Sequence, residues 1–483
     1  MPTQAAEKGT FNVKYYVHSA IVIILMFGFP LLPTIEPLTP YGMQVAGIFL
    51  GCLYGWTTVG IIWPSILGLI KLAFAGFGTM TATFTAAYGN DTYLFVFFML
   101  AFAALVSKAG VTDFIAKWVV SRKIAAGKPY VIAFFVYLAA YVVAALVSVM
   151  PSIVICWTLA YQLFDEFGYT NKDKYPKLMV IGVVIAALAG QCVFPFKPFA
   201  VIMTGVLNTQ LGLSIDFATF TFFAFVLGFG QILIWLAICK FVYRPDTVRI
   251  ENGSFTYDND EKLNAYQIQV LALLLVLVLC MFLPGFLPDC GLKTFLKTMG
   301  NTGLVLAALG ICSFIQLRNG KSFADVADLI KTGVPWPTMF LLGTAMAIAS
   351  AISGETGISA LFKQILTPIF AGNNAVLFFV LCIVATLVLT NIINNVVVGM
   401  LMVPLICTFS QTLGFPPEIL VVAICVVCNV TYFLPSGSPI AAFLHGNSEW
   451  ISSSECQKYS ALFLLAFAAY AIAICLTVGN LIW

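Results

Sequence analysis

Thr390-Asn391-Ile392-Ile393-Asn394-Asn395 and Pro435-Ser436-Gly437-Ser438-Pro439 interrupt two long apolar runs with amides, hydroxyls, prolines and a glycine. The pattern occurs earlier in weaker form, as Ser148-Val149-Met150-Pro151-Ser152 and then Pro195-Phe196-Lys197-Pro198. Ser148 and Thr390 are 242 residues apart, as are Ser152 and Asn394; Lys197 and Ser438 are 241 apart, as are Pro198 and Pro439. Polar, helix-breaking clusters at matching places in two halves of a hydrophobic chain point to the binding site of a secondary transporter.

Composition places these clusters in a membrane. Apolar residues make up 61% of the 483 residues and charged residues 9%, and the mean hydropathy is +1.01. Soluble domains carry about 25% charged residues, so this chain cannot cover a water-facing surface. Its apolar runs reach the roughly 20 residues that span a bilayer as helix. Continuous runs rather than ten-residue alternation choose helices over a barrel. The expected fold is an all-α polytopic membrane protein with about 11 transmembrane helices and two re-entrant hairpins in an inverted repeat.

Spans are predicted at 17–36, 41–58, 60–78 and 92–107, followed by a surface segment from Val111 to Ser121. The stretch 131–163 is too long for one crossing and has basic loops at both ends, so it reads as a hairpin tipped by Ser148–Ser152. A broken helix at 178–207 and a span at 217–241 close the first half. The second half repeats the plan with spans at 265–284, 301–316 and 335–352 and a surface segment from Gly354 to Ile365. A hairpin at 374–410, a broken helix at 416–446 and a span at 459–482 follow. Gly110-Val111-Thr112 and Gly357-Ile358-Ser359 precede the two hairpins in matching places. The resulting division is 1–58 as N-terminal scaffold spans, 59–242 as first repeat, 243–264 as cytoplasmic linker and 265–483 as second, inverted repeat.

Basic residues orient the chain. Lys8, Lys14, Lys108, Lys117, Arg122, Lys123, Lys128, Lys172, Lys174, Lys177, Lys240, Arg244, Arg249, Lys262, Arg318, Lys321, Lys331 and Lys458 fall on one side of these spans; Lys293, Lys297 and Lys363 fall on the other. Short basic loops stay cytoplasmic. The expected location is a cell (inner) membrane, with the N-terminus cytoplasmic and the C-terminus outside. The first apolar run lacks a small-residue cleavage site and reads as a retained span rather than a signal peptide. The thirteen cysteines lack metal-ligand spacing and read as small apolar fillers.

Asn391, Asn394 and Asn395 stand with Thr390 in an otherwise apolar stretch. Buried amides need partners, and interhelical hydrogen bonding is one explanation. The interrupted partner segment supplies another. Prolines remove backbone donors and free carbonyls, and Gly437 lets backbones approach. Unwound carbonyls with Asn oxygens suit a hard cation such as sodium, and helix N-termini beside them suit a carboxylate. A simple proline kink is the plainer alternative.

These motifs resemble those of the divalent anion/sodium symporter family of the ion transporter superfamily. That family carries two Ser-Asn-Thr hairpin tips, each paired with Thr-Pro in an unwound helix. In the second half Asn394-Asn395-Val396 stands in the Ser-Asn-Thr position, and Ser438-Pro439, preceded by Gly437, in the Thr-Pro position. The resemblance implies a sodium site at Thr390, Asn394, Asn395 and Gly437, with Asn395, Val396, Ser438 and Pro439 on the substrate. In the first half it implies ion contacts from Ser148 and Ser152 and substrate contacts from Ser152, Lys197 and Pro198. It also implies a homodimer in which the hairpins and spans 178–241 and 416–482 move as an elevator against a scaffold. The first half departs from the family, with Ile153 and Val154 in place of Asn and Thr, and Lys197 in place of Thr.

An ammonium at bilayer depth is costly and seldom idle. Lys197 either reaches a membrane surface along its own stem or serves the site, replacing one sodium ion or pairing with the substrate carboxylate. Since burial disfavours the charged form of a lysine, proton exchange there is a third option. Lys71 lies near a span end and can snorkel. Asp91, beside Asn90, reads as a helix N-cap, His445 as interfacial, and Phe220–Phe225 as lipid-facing bulk. Asn429-Val430-Thr431 fits a glycosylation pattern but lies inside a span and is set aside. Phosphate-loop and metalloprotease motifs are absent from the sequence.

The predicted function is secondary transport of small organic anions of di- or tricarboxylate type, sodium-coupled, with sodium or a proton as the partner ion. Neither covalent chemistry, a cofactor, a bound metal beyond sodium nor a nucleic-acid partner is expected. The alternatives are a proton-coupled or exchange carrier using Lys197, and a cation/proton antiporter or metalloid-anion permease of the same superfamily. An antiporter needs an intramembrane carboxylate, which neither cluster contains. An intramembrane enzyme would need a catalytic pair, and a scaffold would not need polar broken helices.

Overall fold

A computed structural model describes residues 13–111, 114–115, 127–252, 263–316, 322–352, 354–358, 360–361, 364, 374–392, 394–435 and 437–483. Lys8, Lys117, Arg122, Lys123, Lys262, Arg318, Lys321 and Lys363 lie outside the described residues, as do Thr112, Ser359, Ser436 and much of both predicted surface segments. Among the described residues the chain is helical, and its only extended pairing is an isolated bridge between Gln316 and Ser322. Nine of these helices are long and apolar enough to cross a membrane. Three of the nine are hairpin arms (Pro129–Leu146, Ala375–Ile392 and Asn395–Leu413).

Two compact units form, one from Met1–Gly89 with Trp336–Ile365 and the other from Asn90–Pro335 with Leu366–Trp483. The first contains α1 (Val13–Ile23, continuing to Leu31), α2 (Pro40–Thr58), α3 (Ile62–Leu72) and α4 (Met80–Tyr88), together with a later helix, Trp336–Ala351. Thr39 caps α2 by accepting from the Gly42 N–H, and the Trp56 indole donates to Ser65 Oγ at 2.9 Å. Lys71 does not end free at a surface: its Nζ donates to Gln44 Oε1 at 2.8 Å. Helix α4 was not expected, because its threonines dilute the apolar signal; Thr79 caps it through the Ala82 N–H.

The second unit opens with α5 (Asp91–Lys108). Its N-cap is Asn90, which accepts from the Tyr93 N–H, and Asp91 is the first helical residue; this corrects the expected cap by one position. Next come the first hairpin, α6 (Pro129–Leu146) and α7 (Val149–Glu166), and the first broken helix, α8 (Lys174–Gly190) and α9 (Pro198–Leu211). Then follow α10 (Phe217–Ala237), α11 (Ala265–Phe286), α12 (Gly291–Phe314) and α13 (Val326–Gly333). The span predicted at 301–316 begins just after Gly300, whose backbone at φ 61° is non-helical; a further helical stretch, Gly291 to Met299, precedes that break and was not expected. With α14 as Trp336–Ala351 of the first unit, the second hairpin is α15 (Ala375–Ile392) and α16 (Asn395–Leu413). The second broken helix is α17 (Pro417–Val427) and α18 (Pro439–Gly446), and α19 (Ser453–Ile474) completes the unit.

Close packing fixes the first hairpin on α8. A methyl at Gly190 would stand 2.2 Å from the Tyr141 carbonyl oxygen, so only glycine allows this approach. Tyr137 and Trp235 both donate to Leu178 O, and the Trp157 indole donates to Val180 O. Residues Tyr175–Gly190 are buried without interruption, which explains their unbroken apolar character. Of the predicted lipid-facing phenylalanines, Phe220 and Phe223 are fully buried, and only Phe222 and Phe225 are exposed. His445 is also buried rather than interfacial, with Nε2 3.2 Å from Tyr432 O.

Candidate functional site

The two broken helices meet at their breaks. Cys192, in the 191–197 break, donates its thiol to the carbonyl of Cys425, at the end of α17, at 3.2 Å. A few residues on, Gln191 Nε2 donates to Asn429 Oδ1 at 3.3 Å. Asn429 Nδ2 donates to Cys425 O at 2.8 Å, which turns its oxygen outward as the shared acceptor. That oxygen also receives Asn395 Nδ2, at 3.2 Å, from the second hairpin. Three amides thus join the first broken helix, the second broken helix and the second hairpin tip.

The second hairpin tip and the 428–438 break lock together through side-chain-to-backbone bonds. Thr390 Oγ1 donates to Cys428 O at 2.5 Å. Asn391, 4% exposed, donates to Leu387 O and Val430 O, both at 2.8 Å, and accepts from the Phe433 N–H at 3.0 Å. The bonds to Cys428, Val430 and Phe433 satisfy backbone groups that unwinding of the helix leaves bare. Gly437 closes the arrangement. A methyl there would lie 2.7 Å from Thr390 O, 3.2 Å from Thr431 O and 3.3 Å from Asn391 Cα. Carbonyl oxygens from the hairpin and from the break therefore converge on the position that has no side chain.

The helix starts flanking this knot are capped. Asn394 Oδ1 accepts from the Val396 N–H at 3.0 Å and caps α16, and Asn395 Oδ1 accepts the same N–H at 3.0 Å. Ser438 caps α18, accepting from the Ala441 N–H at 3.0 Å, while its hydroxyl lies 2.7 Å from Thr431 Oγ1. Pro439 is the first residue of α18, where a missing N–H costs nothing. Thr390, Asn391, Asn394, Asn395, Gly437 and Ser438 thus belong to one locality, and its donor set of carbonyl, amide and hydroxyl oxygens suits a hard cation.

The first hairpin tip is built differently. Ser148 is exposed and extended, at φ −158° and ψ 151°, and makes no side-chain cap. Ser152 is fully buried and donates to Ala140 O at 2.7 Å, tying the two arms of its own hairpin. Ile153 is buried and Val154 is 48% exposed. Lys197, 6% exposed, is the N-cap residue of α9, and Pro198 follows as first helical residue. Its Nζ donates to the carbonyl of Val147, the C-cap of α6, at 3.0 Å, and lies 5.6 Å from the centre of the Phe196 ring. The Lys197 amino group thus rests on the carbonyl end of a helix, where the helix dipole favours its charged form.

Sequence reasoning missed Gln191 and set Asn429 aside. Each directly follows a long apolar run, after Gly190 and after Cys428, where a helix is about to break. A single amide in that place is the signal that could have found them.

The citrate transporter family model matches residues 51–427. An uncharacterized transporter, MJ0672 of Methanocaldococcus jannaschii, is 23% identical over 339 residues, covering 70% of this chain and 71% of that protein. The sodium-dependent high-affinity dicarboxylate transporter 3 of Caenorhabditis elegans is 23% identical over 440 residues, covering 82% and 77% respectively. The sodium-dependent dicarboxylate transporter SdcS of Staphylococcus saprophyticus is 23% identical over 287 residues, covering 57% and 54%. The fold is similar to the crystal structure of the Alcanivorax borkumensis YdaH transporter, with a TM-score of 0.61 at 14% identity over 97% of this chain and 98% of that one.

Proposed function

The chain belongs to the citrate transporter family, and from that premise we propose that it couples the movement of small di- or tricarboxylate-like anions to sodium. It is a multi-pass membrane carboxylate transporter and not an enzyme. The observation that carries sodium coupling is the convergence of Thr390 O and Thr431 O on Gly437. Dehydrated sodium needs several oxygen ligands, and Thr390, Asn394, Asn395 and Gly437 are the residues assigned to hold it. The names of the sodium-dependent relatives point the same way.

The anion is assigned to the face between the two tips. Asn395, Val396, Ser438 and Pro439 supply the start of α16 and α18, whose N-terminal N–H groups favour negative charge. Ser152, Lys197 and Pro198 belong to the opposite side, with Ser148 and Ser152 kept as weaker ion-site candidates. Lys197 acts there as a tethered cation in place of a second sodium ion. Both hairpins and both broken helices fall in one compact unit, as an elevator-type body would require; the proposed mover is the hairpins with spans 178–241 and 416–482. A homodimer in a cell (inner) membrane, N-terminus cytoplasmic and C-terminus outside, completes the reading.

Uptake of radiolabelled succinate and citrate into proteoliposomes, with and without an inward sodium gradient, tests this. Sodium-stimulated uptake is expected. Uptake indifferent to sodium but driven by a proton gradient or by internal anion would favour the second reading, an exchange or proton-coupled carrier using Lys197. The observation favouring that reading is the buried ammonium on Val147 O.

A further inference from the structure

Helix α7 passes along α18 and the 447–450 segment that follows it, away from the helix starts at Ser148 and Ser438. Their partners step in order: Trp157 stacks on Phe443 at 5.0 Å and 18°, Tyr161 OH accepts from Asn447 Nδ2 at 2.8 Å, and Phe164 meets Trp450 at 4.9 Å. Between them lies a cleft of about 470 Å³ lined by Val154, Trp157, Thr158, Tyr161, Ala442 and Phe443. Ligand pockets commonly span about 300–1,000 Å³ with mostly apolar walls.

We propose that this cleft receives an apolar, preferably aromatic, substituent of the transported anion. The proposal rests on the organic-anion reading and adds the chemistry of the tail. Three features commit it to that occupant. The cleft begins at Val154 and Ala442, two and four residues beyond the candidate contacts Ser152 and Ser438 on the same helices. Its walls are fixed in advance, since the Trp157 indole is held by Val180 O at 3.1 Å and Tyr161 by Asn447. Its lining carries Glu449 and no basic residue, so a second carboxylate would be repelled from the far end while a neutral ring would not.

The test compares succinate, methylsuccinate and benzylsuccinate as inhibitors of labelled succinate uptake. Benzylsuccinate is expected to inhibit at a concentration about tenfold or more below methylsuccinate, the return on burying one ring. Thr158→Trp, which fills the cleft from α7, should bring the two inhibitors together while labelled succinate uptake persists. Phe443→Leu should do so in part. Equal inhibition by the two analogues in the unaltered protein overturns the proposal, as does a preference that survives both substitutions. Thermal stabilisation of the purified protein by the same analogues reads the preference without transport. If no labelled anion is taken up yet benzylsuccinate stabilises selectively, the transport reading fails and the cleft stands.

Discussion

Gly437→Ala places one methyl group against two backbone oxygens and a Cα beside the candidate sodium site. The added Cβ would sit 2.7 Å from Thr390 O, 3.2 Å from Thr431 O and 3.3 Å from Asn391 Cα. Ordinary contact needs about 0.5–1 Å more from the nearest oxygen. That oxygen is backbone, and Thr390 and Asn391 are pinned to Cys428, Val430 and Phe433, so relief requires the hairpin tip to withdraw from the break. Overpacking of this kind costs about 1–3 kcal/mol. If the cost falls on the geometry that binds sodium, the half-saturating sodium concentration rises about 5- to 150-fold. The assay is sodium dependence of labelled-anion uptake, with thermal unfolding of the purified protein alongside. Gly310→Ala is the control, because a methyl there meets nothing within 4 Å. An unchanged sodium half-saturation in correctly folded Gly437→Ala would refute the assignment of the site to this convergence.

Lys197→Gln should abolish uptake or make it more sodium-dependent, since the ammonium on Val147 O is lost; unchanged kinetics with unchanged ion coupling would count against a tethered cation. Asn395→Ala should remove sodium stimulation without loss of expression, and stimulation that survives would mean the site is misplaced. Asn429→Leu strips the shared acceptor from Gln191 and Asn395. Leaving a buried donor unpaired costs about 1–3 kcal/mol, and these part-buried donors cost less, so a modest fall in melting temperature together with weaker sodium coupling is expected; a stability loss with normal coupling would make Asn429 a structural tie only.

The helical architecture was legible because bilayer thickness forces long apolar runs, and these read directly. Both breaks fell where Pro195, Pro198, Pro435 and Pro439 said they would. Helix ends were less legible: the polar residues of the stretch from Gly291 to Met299 gave no span signal, yet they form helix up to the break at Gly300. At the candidate site, Thr390, Asn391 and Gly437 stood out by residue type, since amides and glycine in apolar runs need a reason, and the structure brings them together. Their division of labour was not. Asn391 ties backbone groups of its own hairpin arm (Leu387 O) and of the break (Val430 O and the Phe433 N–H), a role indistinguishable in sequence from that of Asn395. Asn429 was hidden by its isolation, for its partners come from residues 34 and 238 positions away.

The unequal halves have an electrostatic consequence. In each half a carbonyl of the hairpin tip faces the residue entering from the broken helix: Val147 O meets Lys197 Nζ, and Thr390 O meets Gly437. If Lys197 is charged, as proposed, the first-half carbonyl already has a cation; the second has a residue too small to bring one. On the proposed reading, both tips offer negative oxygen dipoles, but only the second can exchange its ion with solution. A carboxylate bound between them would gain a fixed positive charge from one side in every state of the cycle and a mobile one from the other. The fixed charge offsets part of the anion's desolvation but contributes nothing to coupling, because it travels both ways. The sodium driving force per anion should then be that of the second half alone, and a neutral residue at Lys197 should abolish uptake unless a second mobile cation takes the vacated place, in which case uptake becomes more sodium-dependent.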